Sequence, residues 1–290
     1  MQLGLVGLGR MGGNMRERLR AAGHEVIGYD TNPAVSDVAS LAELADKVAP
    51  PRVAWIMVPV AVTEKMITEL VPLLSAGDIL IDGGNSRYTD DQPRAERLAA
   101  HGIGYLDVGV SGGVWGREHG YGLMVGGAAE HVERCMPIFN ALKPAGEFGF
   151  VHAGPVGAGH YAKMVHNGIE YGLMHAYAEG YELLTKAELI TDVAGVFNSW
   201  RDGSVVKSWL LDLLVRAISE DPELSGVRGI AGDTGEGRWT IEEAIRLEVP
   251  LNVIAAAMFA RFLSRQEDSP TMKAVAALRF QFGGHAFVSR

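Results

Sequence analysis

The 290-residue chain has a single cysteine, Cys135, so no intrachain disulfide can form and a reducing compartment is expected. It has no long apolar run. The most extended, VPLNVIAAAMFA at residues 249–260, falls short of the roughly 20 residues that a bilayer-crossing helix needs. Nor is there a surplus of positive charge: the net charge of −9 argues against a nucleic-acid or anionic-membrane surface as the main partner. A small anionic substrate stays possible, because a local cluster of arginines can outweigh the global sign. No basic leader precedes the first strand pattern, so no secretory signal is expected. Internal repeats and low-complexity tracts are missing as well. What the chain does have is a hydrophobic fraction of 48%, enough for sizeable cores, over a length that suggests about two domains. The expectation is a cytoplasmic protein, with no nucleic acid and no membrane as partners.

In the first half, short β-like runs alternate with helical patterns. LGLVGLG, HEVIGYD, VAWIMVP, DILIDGG, GYLDVGV and GLMVGG read as strands, while NMRERLRAAG, TEKMITELVPLL, QPRAERLAAHG and EHVERCMPIFNAL read as helices. That alternation predicts an α/β domain over residues 1–155, a doubly wound and mainly parallel sheet with helices on both faces. Beyond it, strand-like runs stop. Helical segments are expected from Val156 to about Lys186, then over 192–200, 204–219, 238–247, 250–265 and 270–280, making an all-α domain over residues 156–290. The glycine-rich AGPVGAGH is the expected hinge.

GLGRMG sets Gly7, Gly9 and Gly12 in G-x-G-x-x-G register directly after a strand and at the start of a helix. The pattern is weak alone, but this context makes it a dinucleotide site. Gly7 permits the tight turn, Gly9 lets the backbone approach a pyrophosphate, and Gly12 allows close helix–strand packing. The helix N-terminus then offers N–H groups to the phosphates. The cofactor contacts are placed on Gly7, Leu8, Gly9, Arg10, Met11 and Gly12, on Asp30, on Val58 and Pro59 after the third strand, and on Asn85. Asp30 ends the second strand, where a carboxylate accepts hydrogen bonds from ribose hydroxyls. It also repels a 2′-phosphate, by about 4 kcal/mol for each charge pair near 4 Å at an effective dielectric of about 20. TNPA, which follows, contains no arginine to reverse this, so NAD is favoured over NADP.

KMVHNGIEYG, residues 163–172, puts Lys163, His166, Asn167 and Glu170 on one face of a helix. A solvated face is the ordinary reason for such clustering. Here the surroundings are apolar and low in charge, and Gly168 costs the helix about 1 kcal/mol relative to Ala. A functional face is the better reading, with Lys163 and Glu170 as a proton-handling pair. Desolvation beside a positive nicotinamide ring makes a lysine usable as a base near neutrality. Two loops at expected strand ends, IDGGNSR with Asn85 and Ser86 and DVGVSGG with Ser111, Gly112 and Gly113, suit hydrogen bonding to a small polyol or carboxylate.

GLGRMG, DGGNSRY, SGG, GAGHYAKMVHNGIEYG, GRWT and FARFLS, in this order over nearly the whole chain, resemble the 6-phosphogluconate dehydrogenase family in its shorter bacterial form. SGG and the lysine are shared with the wider β-hydroxyacid dehydrogenase superfamily; the H-N-G-I-E-Y-G continuation is not. The resemblance implies a Rossmann-type domain followed by an all-α domain, no metal, and a small anionic sugar acid as substrate. It implies that Lys163 takes the proton from the 3-hydroxyl during hydride transfer and returns it to the keto oxygen as CO2 leaves. Glu170 then protonates C1 of the enediol. Asn85, Ser111, Gly112, Gly113, His166 and Asn167 would hold the sugar acid, and Tyr171, Arg261, Arg279 and His285 its phosphate. The family's C-terminal tail completes a neighbouring subunit's site, which implies a homodimer or homotetramer.

Two departures stand out. Thr234 and Glu236 occupy the places of a lysine and a threonine near the phosphate in the long family form, with Arg238 as the replacement charge. Val114 and Trp115, rather than acidic residues, follow SGG. The rival readings are a β-hydroxyacid dehydrogenase acting on an unphosphorylated acid, and a non-catalytic NAD-binding protein.

Overall fold

The computed structural model describes residues 1–283 and Ala286. The chain forms two compact units, residues 1–166 and Asn167 onward. In the first, strands and helices alternate: β1 (Gln2–Val6), α1 (Arg10–Ala21), β2 (Glu25–Tyr29), α2 (Leu41–Lys47), β3 (Val53–Ile56), α3 (Val60–Leu70), β4 (Ile79–Asp82), α4 (Asp91–Ala99), β5 (Gly104–Ser111), α5 (Gly116–His119), β6 (Gly122–Gly127), α6 (Ala129–Leu142) and β7 (Phe150–Gly154). Helix α7 (Ala158–Lys186) follows and spans the division between the units.

The strands form a seven-stranded sheet ordered β2-β1-β3-β4-β5-β6-β7. Each neighbouring pair is parallel except β5 and β6, which run antiparallel. Side chains of a strand alternate between faces, and here both faces are buried. Trp55, Ile79 and Ile81 enter one apolar layer with Met15, Leu19 and Phe139, while Ile56 and Leu80 enter the other with Ile67, Leu70 and Leu98. Continuous apolar runs such as VAWI and ILID are what a sheet covered on both faces requires. The order reverses between β1 and β3, and ligands of such sheets bind outside the carboxyl ends of the strands at that reversal.

The second unit holds the later turns of α7 and the helices α8 (Val193–Ser199), α9 (Trp209–Glu220), α10 (Glu236–Arg246), α11 (Asn252–Leu263) and α12 (Pro270–Gly283). Phe197, Leu211, Val215 and Ile218 pack with Tyr177 and Tyr181 in one cluster, and Tyr171, Ala257 and Met258 form another. Helix α9 starts later than the pattern over 204–219 predicts, because Ser208 is its cap: the hydroxyl accepts the Leu211 amide at 3.0 Å. Strand β7 was not expected; it is an edge strand with its central residues exposed, so it lacks an apolar signal. Among the described residues no helix is long and apolar enough to cross a membrane.

Candidate active site

At the carboxyl end of β1 the chain turns through Gly7, whose φ of +91° favours glycine. A Cβ on Gly7 would lie 2.5 Å from the Met57 carbonyl, and one on Gly12 would lie 1.9 Å from the Gly7 carbonyl, whereas nothing stands within 4 Å of the corresponding point on Gly9. The cradle is therefore closed against the protein at Gly7 and Gly12 and open at Gly9. Helix α1 begins there with Gly9 as its cap, without a side-chain cap hydrogen bond and without an acidic residue in its first turn. These features fit a dinucleotide pyrophosphate. Leu8 is buried, Arg10 exposed and Met11 packed on the core, so of these three Arg10 is the one open to solvent. Val58 and Pro59 follow β3, and Pro59 caps α3.

The Asp30 carboxylate accepts the Leu8 amide at 2.7 Å and the Asn32 amide at 2.8 Å, which fixes it beside the glycine turn. Two nearby arginines, Arg16 and Arg20, are engaged by Asp37, at 3.4 and 2.5 Å. Beyond β4, Asp82 accepts the Gly84 amide at 3.0 Å and the Ser86 hydroxyl at 2.6 Å. This closes the IDGGNS turn, burying Ser86 and leaving Asn85 exposed.

Strand β5 ends at Ser111, and Gly112 and Gly113 follow with φ of +142° and +54°. Lys163 in α7 is 8% exposed, which removes the solvated-face alternative for this residue. Its stem lies against β5: a Cβ on Gly109 would approach the Lys163 Cβ to 2.4 Å. One turn later the His166 Nε2 meets the Ser111 hydroxyl at 3.1 Å.

In the second unit Asn167 is buried and Glu170 half-buried. Gly168 is a packing residue, since a Cβ there would meet Thr240 at 3.0 Å. The Arg261 guanidinium lies 3.6 Å above the centre of the Tyr171 ring and donates to the Gly232 carbonyl at 2.7 Å. Glu236 is buried, accepts the Thr234 hydroxyl at 2.6 Å through Oε2, and has no hydrogen-bond partner for Oε1 among the described residues. Arg238, the replacement charge expected from sequence, is paired with an acidic neighbour here. Asp233 holds it in a two-point pair, at 2.8 and 3.0 Å, and also binds Arg265 at 3.0 Å. Arg279 is exposed on α12, and the predicted contact of His285 lies outside the described residues.

Within the first unit, sequence reasoning overlooked a buried polar cluster beside the IDGGNS turn. Asp82, Asp91, Arg94, Asp107 and His160 are each at most 4% exposed. The His160 Nδ1 meets Asp91 at 2.8 Å, the Tyr105 hydroxyl donates to Asp91 at 2.8 Å, and Arg94 bonds Asp82 at 3.2 Å. Burial alone would lower the His160 imidazole, but Asp91, then Asp82 and Asp107, outweigh it and hold the group up at about 9. Burial pushes the Asp91 carboxyl up, with His160 pulling against it. The available signals were the aspartate inside the apolar run GYLDVGV and the histidine of GAGHYAK.

The glycine cradle at the switch point, with Asp30 fixed beside it and Lys163 buried against β5, defines the class as a dinucleotide-binding α/β protein. The comparisons narrow the class. Residues 2–150 match the model of the NAD binding domain of 6-phosphogluconate dehydrogenase, and residues 159–284 match the C-terminal domain of the same enzyme. The chain belongs to the 6-phosphogluconate dehydrogenase family. The YqeC protein of Bacillus subtilis, which carries that family name provisionally, is 42% identical over 99% of both chains. An NAD(+)-dependent, decarboxylating 6-phosphogluconate dehydrogenase of Haloferax volcanii is 39% identical over 98% of each. Among solved structures, 6-phosphogluconate dehydrogenase of Plasmodium falciparum, studied with NADP+ and with 6-phosphogluconate, superposes with a TM-score of 0.83 at 26% identity, covering all of this chain and 66% of that one.

Proposed function

We propose that this chain oxidises and decarboxylates 6-phosphogluconate with NAD, giving ribulose 5-phosphate, CO2 and NADH. The observation that carries the reading is Lys163, buried against Gly109 and next in line to the Ser111–His166 contact. Bound NAD supplies the hydride acceptor. Lys163 takes the 3-hydroxyl proton as hydride leaves C3. It then returns that proton to the keto oxygen while the bond to the carboxylate breaks, so the electron pair left by CO2 forms an enediol. Glu170 delivers a proton to the enediol carbon that becomes C1 of the product, while Lys163 takes back the proton of the hydroxyl on the neighbouring carbon, which restores the ketone. No metal is needed, because a β-keto acid whose carbonyl oxygen is protonated loses CO2 readily.

Asn85, Ser111, Gly112, Gly113, His166 and Asn167 are assigned to the sugar acid, and Tyr171 and Arg261 to its phosphate, with Arg279 and His285 from a neighbouring tail. NAD is the proposed cofactor because Asp30 is fixed beside the glycine turn while Arg16 and Arg20 are committed to Asp37. The proposed setting is the cytoplasm: Cys135 is buried and its thiol is pushed up to about 12, which suits no redox role. A homodimer or homotetramer is proposed from the family tail and from apolar side chains that α11 and α12 leave exposed, among them Val253, Phe259, Leu263, Met272 and Leu278.

The deciding assay follows reduction of NAD with 6-phosphogluconate beside gluconate and 3-hydroxyisobutyrate. Faster turnover of either unphosphorylated acid would remove the substrate assignment, and no turnover with any of them would leave a binding protein.

A further inference from the structure

Helix α7 lies along β5 in a regular fashion. Residues 107, 109 and 111 alternate along the strand and so share one face. Each meets α7 at a successive point: Asp107 at the first turn, Gly109 at Lys163, and Ser111 at His166. The first-turn contact is of a different kind from the others. The opening turn of a helix leaves backbone N–H groups without intrahelical acceptors. Here one carboxylate takes two of them, Oδ1 the Gly157 amide at 2.7 Å and Oδ2 the His160 amide at 2.9 Å. The charge-assisted bonds of a carboxylate to backbone amides are among the stronger ones.

A second tether leaves the same turn. The His160 ring binds Asp91 on α4, and Arg94, also on α4, bonds Asp82, which closes the turn that presents Asn85. Asp82, Asp91 and His160 bring ligand-type atoms within 4.8 Å of one another, but the Arg94 guanidinium already supplies positive charge there. Close approach of the backbones completes the fit: a Cβ on Gly159 would fall 2.4 Å from the Met124 carbonyl, so the start of α7 packs on the sheet with no room for even one methyl group between them.

We propose that Asp107 and the His160–Asp91 pair are positioning residues for Lys163, setting both the axial position and the rotation of α7 on β5. This rests on Lys163 being the base of the proposed reaction. Misplacing a reacting group by about 1 Å can cost roughly 10²-fold in rate.

The experiment compares wild type with Asp107→Asn, His160→Gln and a stability control, Leu70→Ala, in the apolar layer of α3. Asp107→Asn is expected to lower kcat about 10²-fold and His160→Gln about tenfold, with KM for NAD within twofold of wild type. Leu70→Ala should keep kcat within twofold at an equal or larger loss of Tm. A second readout needs no substrate: acetylation of Lys163 by acetic anhydride, followed by mass spectrometry relative to the exposed Lys65. Both variants should speed Lys163 labelling at least fivefold. If Asp107→Asn fails to fold, His160→Gln carries the test. Wild-type kcat and wild-type labelling in the folded variants would overturn the proposal, and so would losses matched by Leu70→Ala at equal Tm. A wild-type enzyme inert toward 6-phosphogluconate would strike the proposed reaction instead, and the labelling rates would still decide the positioning role.

Discussion

Lysines are seldom buried, because removing an ammonium from water is expensive unless its surroundings repay it or the group must lose its proton. Lys163, at 8% exposure on a helix whose neighbouring positions are apolar, is such a case. Lys163→Met should therefore lower turnover by about 10²–10⁴-fold, the usual range for a general acid–base group, while NAD affinity by fluorescence titration stays nearly unchanged. A variant within a few-fold of wild type would eliminate Lys163 as the base. Glu170→Gln should slow protonation of the enediol more than hydride transfer, which a transient NADH burst ahead of steady turnover would reveal. Asp30 can be tested separately, since its carboxylate is fixed by the Leu8 and Asn32 amides. Combining Asp30→Ser with Thr31→Arg removes one negative charge and adds a positive one, and should move kcat/KM toward NADP. A native enzyme already faster with NADP would refute the NAD assignment. Arg238 shows the limit of residue-level reading: its pairing with Asp233 depends on a loop whose path no local pattern discloses.

At the scale of elements, the helix and strand patterns were legible wherever burial follows a period. Both faces of the central sheet are covered, so VAWI and ILID appear as unbroken apolar runs, and α7 appears where the polar stripe falls. Helix α2 carries a local start signal too. Ser40 and Glu43 have the S-x-x-E spacing that announces a helix start: the Ser40 hydroxyl accepts the Glu43 amide at 3.1 Å, and the Glu43 side chain accepts the amide of Ala39, one residue before the cap, at 2.8 Å. The lacing of α7 to β5 was not legible, because it depends on which strand faces which helix. Gly109 is its most exposed point of failure. Gly109→Ala places a methyl 2.4 Å from the Lys163 Cβ, and overpacking of this kind typically costs about 1–3 kcal/mol; a drop in Tm with a larger drop in kcat is expected. The buried His160 adds a pH signature. Its folded value of about 9 lies above the ordinary 6.5, so its contribution to stability is complete below about 6.5 and is lost as pH rises toward 9. Melting curves should show Tm falling between pH 6.5 and 9, and His160→Gln should flatten that slope; an equal slope in both proteins would separate the alkaline loss from this cluster.

For the whole molecule, the change from alternating elements to helices alone was readable from texture, and the two compact units bear the corresponding α/β and all-α characters. How many copies assemble was not readable from the physics of one chain, because an interface is a property of two surfaces. Among the described residues, the second unit nevertheless leaves several large apolar side chains exposed on a single copy. Phe259 and Leu263 on α11 and Met272, Leu278 and Phe280 on α12 are all exposed, and obligate interfaces are built from such side chains. If a neighbouring tail brings Arg279 to the phosphate, each site mixes two chains. An inactive Lys163→Met chain and an inactive Arg279→Ala chain, mixed and allowed to exchange subunits, should then recover activity. A hybrid dimer holds one site in which a sound Lys163 meets a sound tail and one in which both are damaged, so full exchange at equal amounts should restore about a quarter of the wild-type sites when subunits pair at random. Exchange is followed independently by mass spectrometry of differently tagged chains. Verified exchange without recovery, or an active monomer at assay dilution, would defeat the shared-site arrangement while leaving Lys163 and its chemistry untouched.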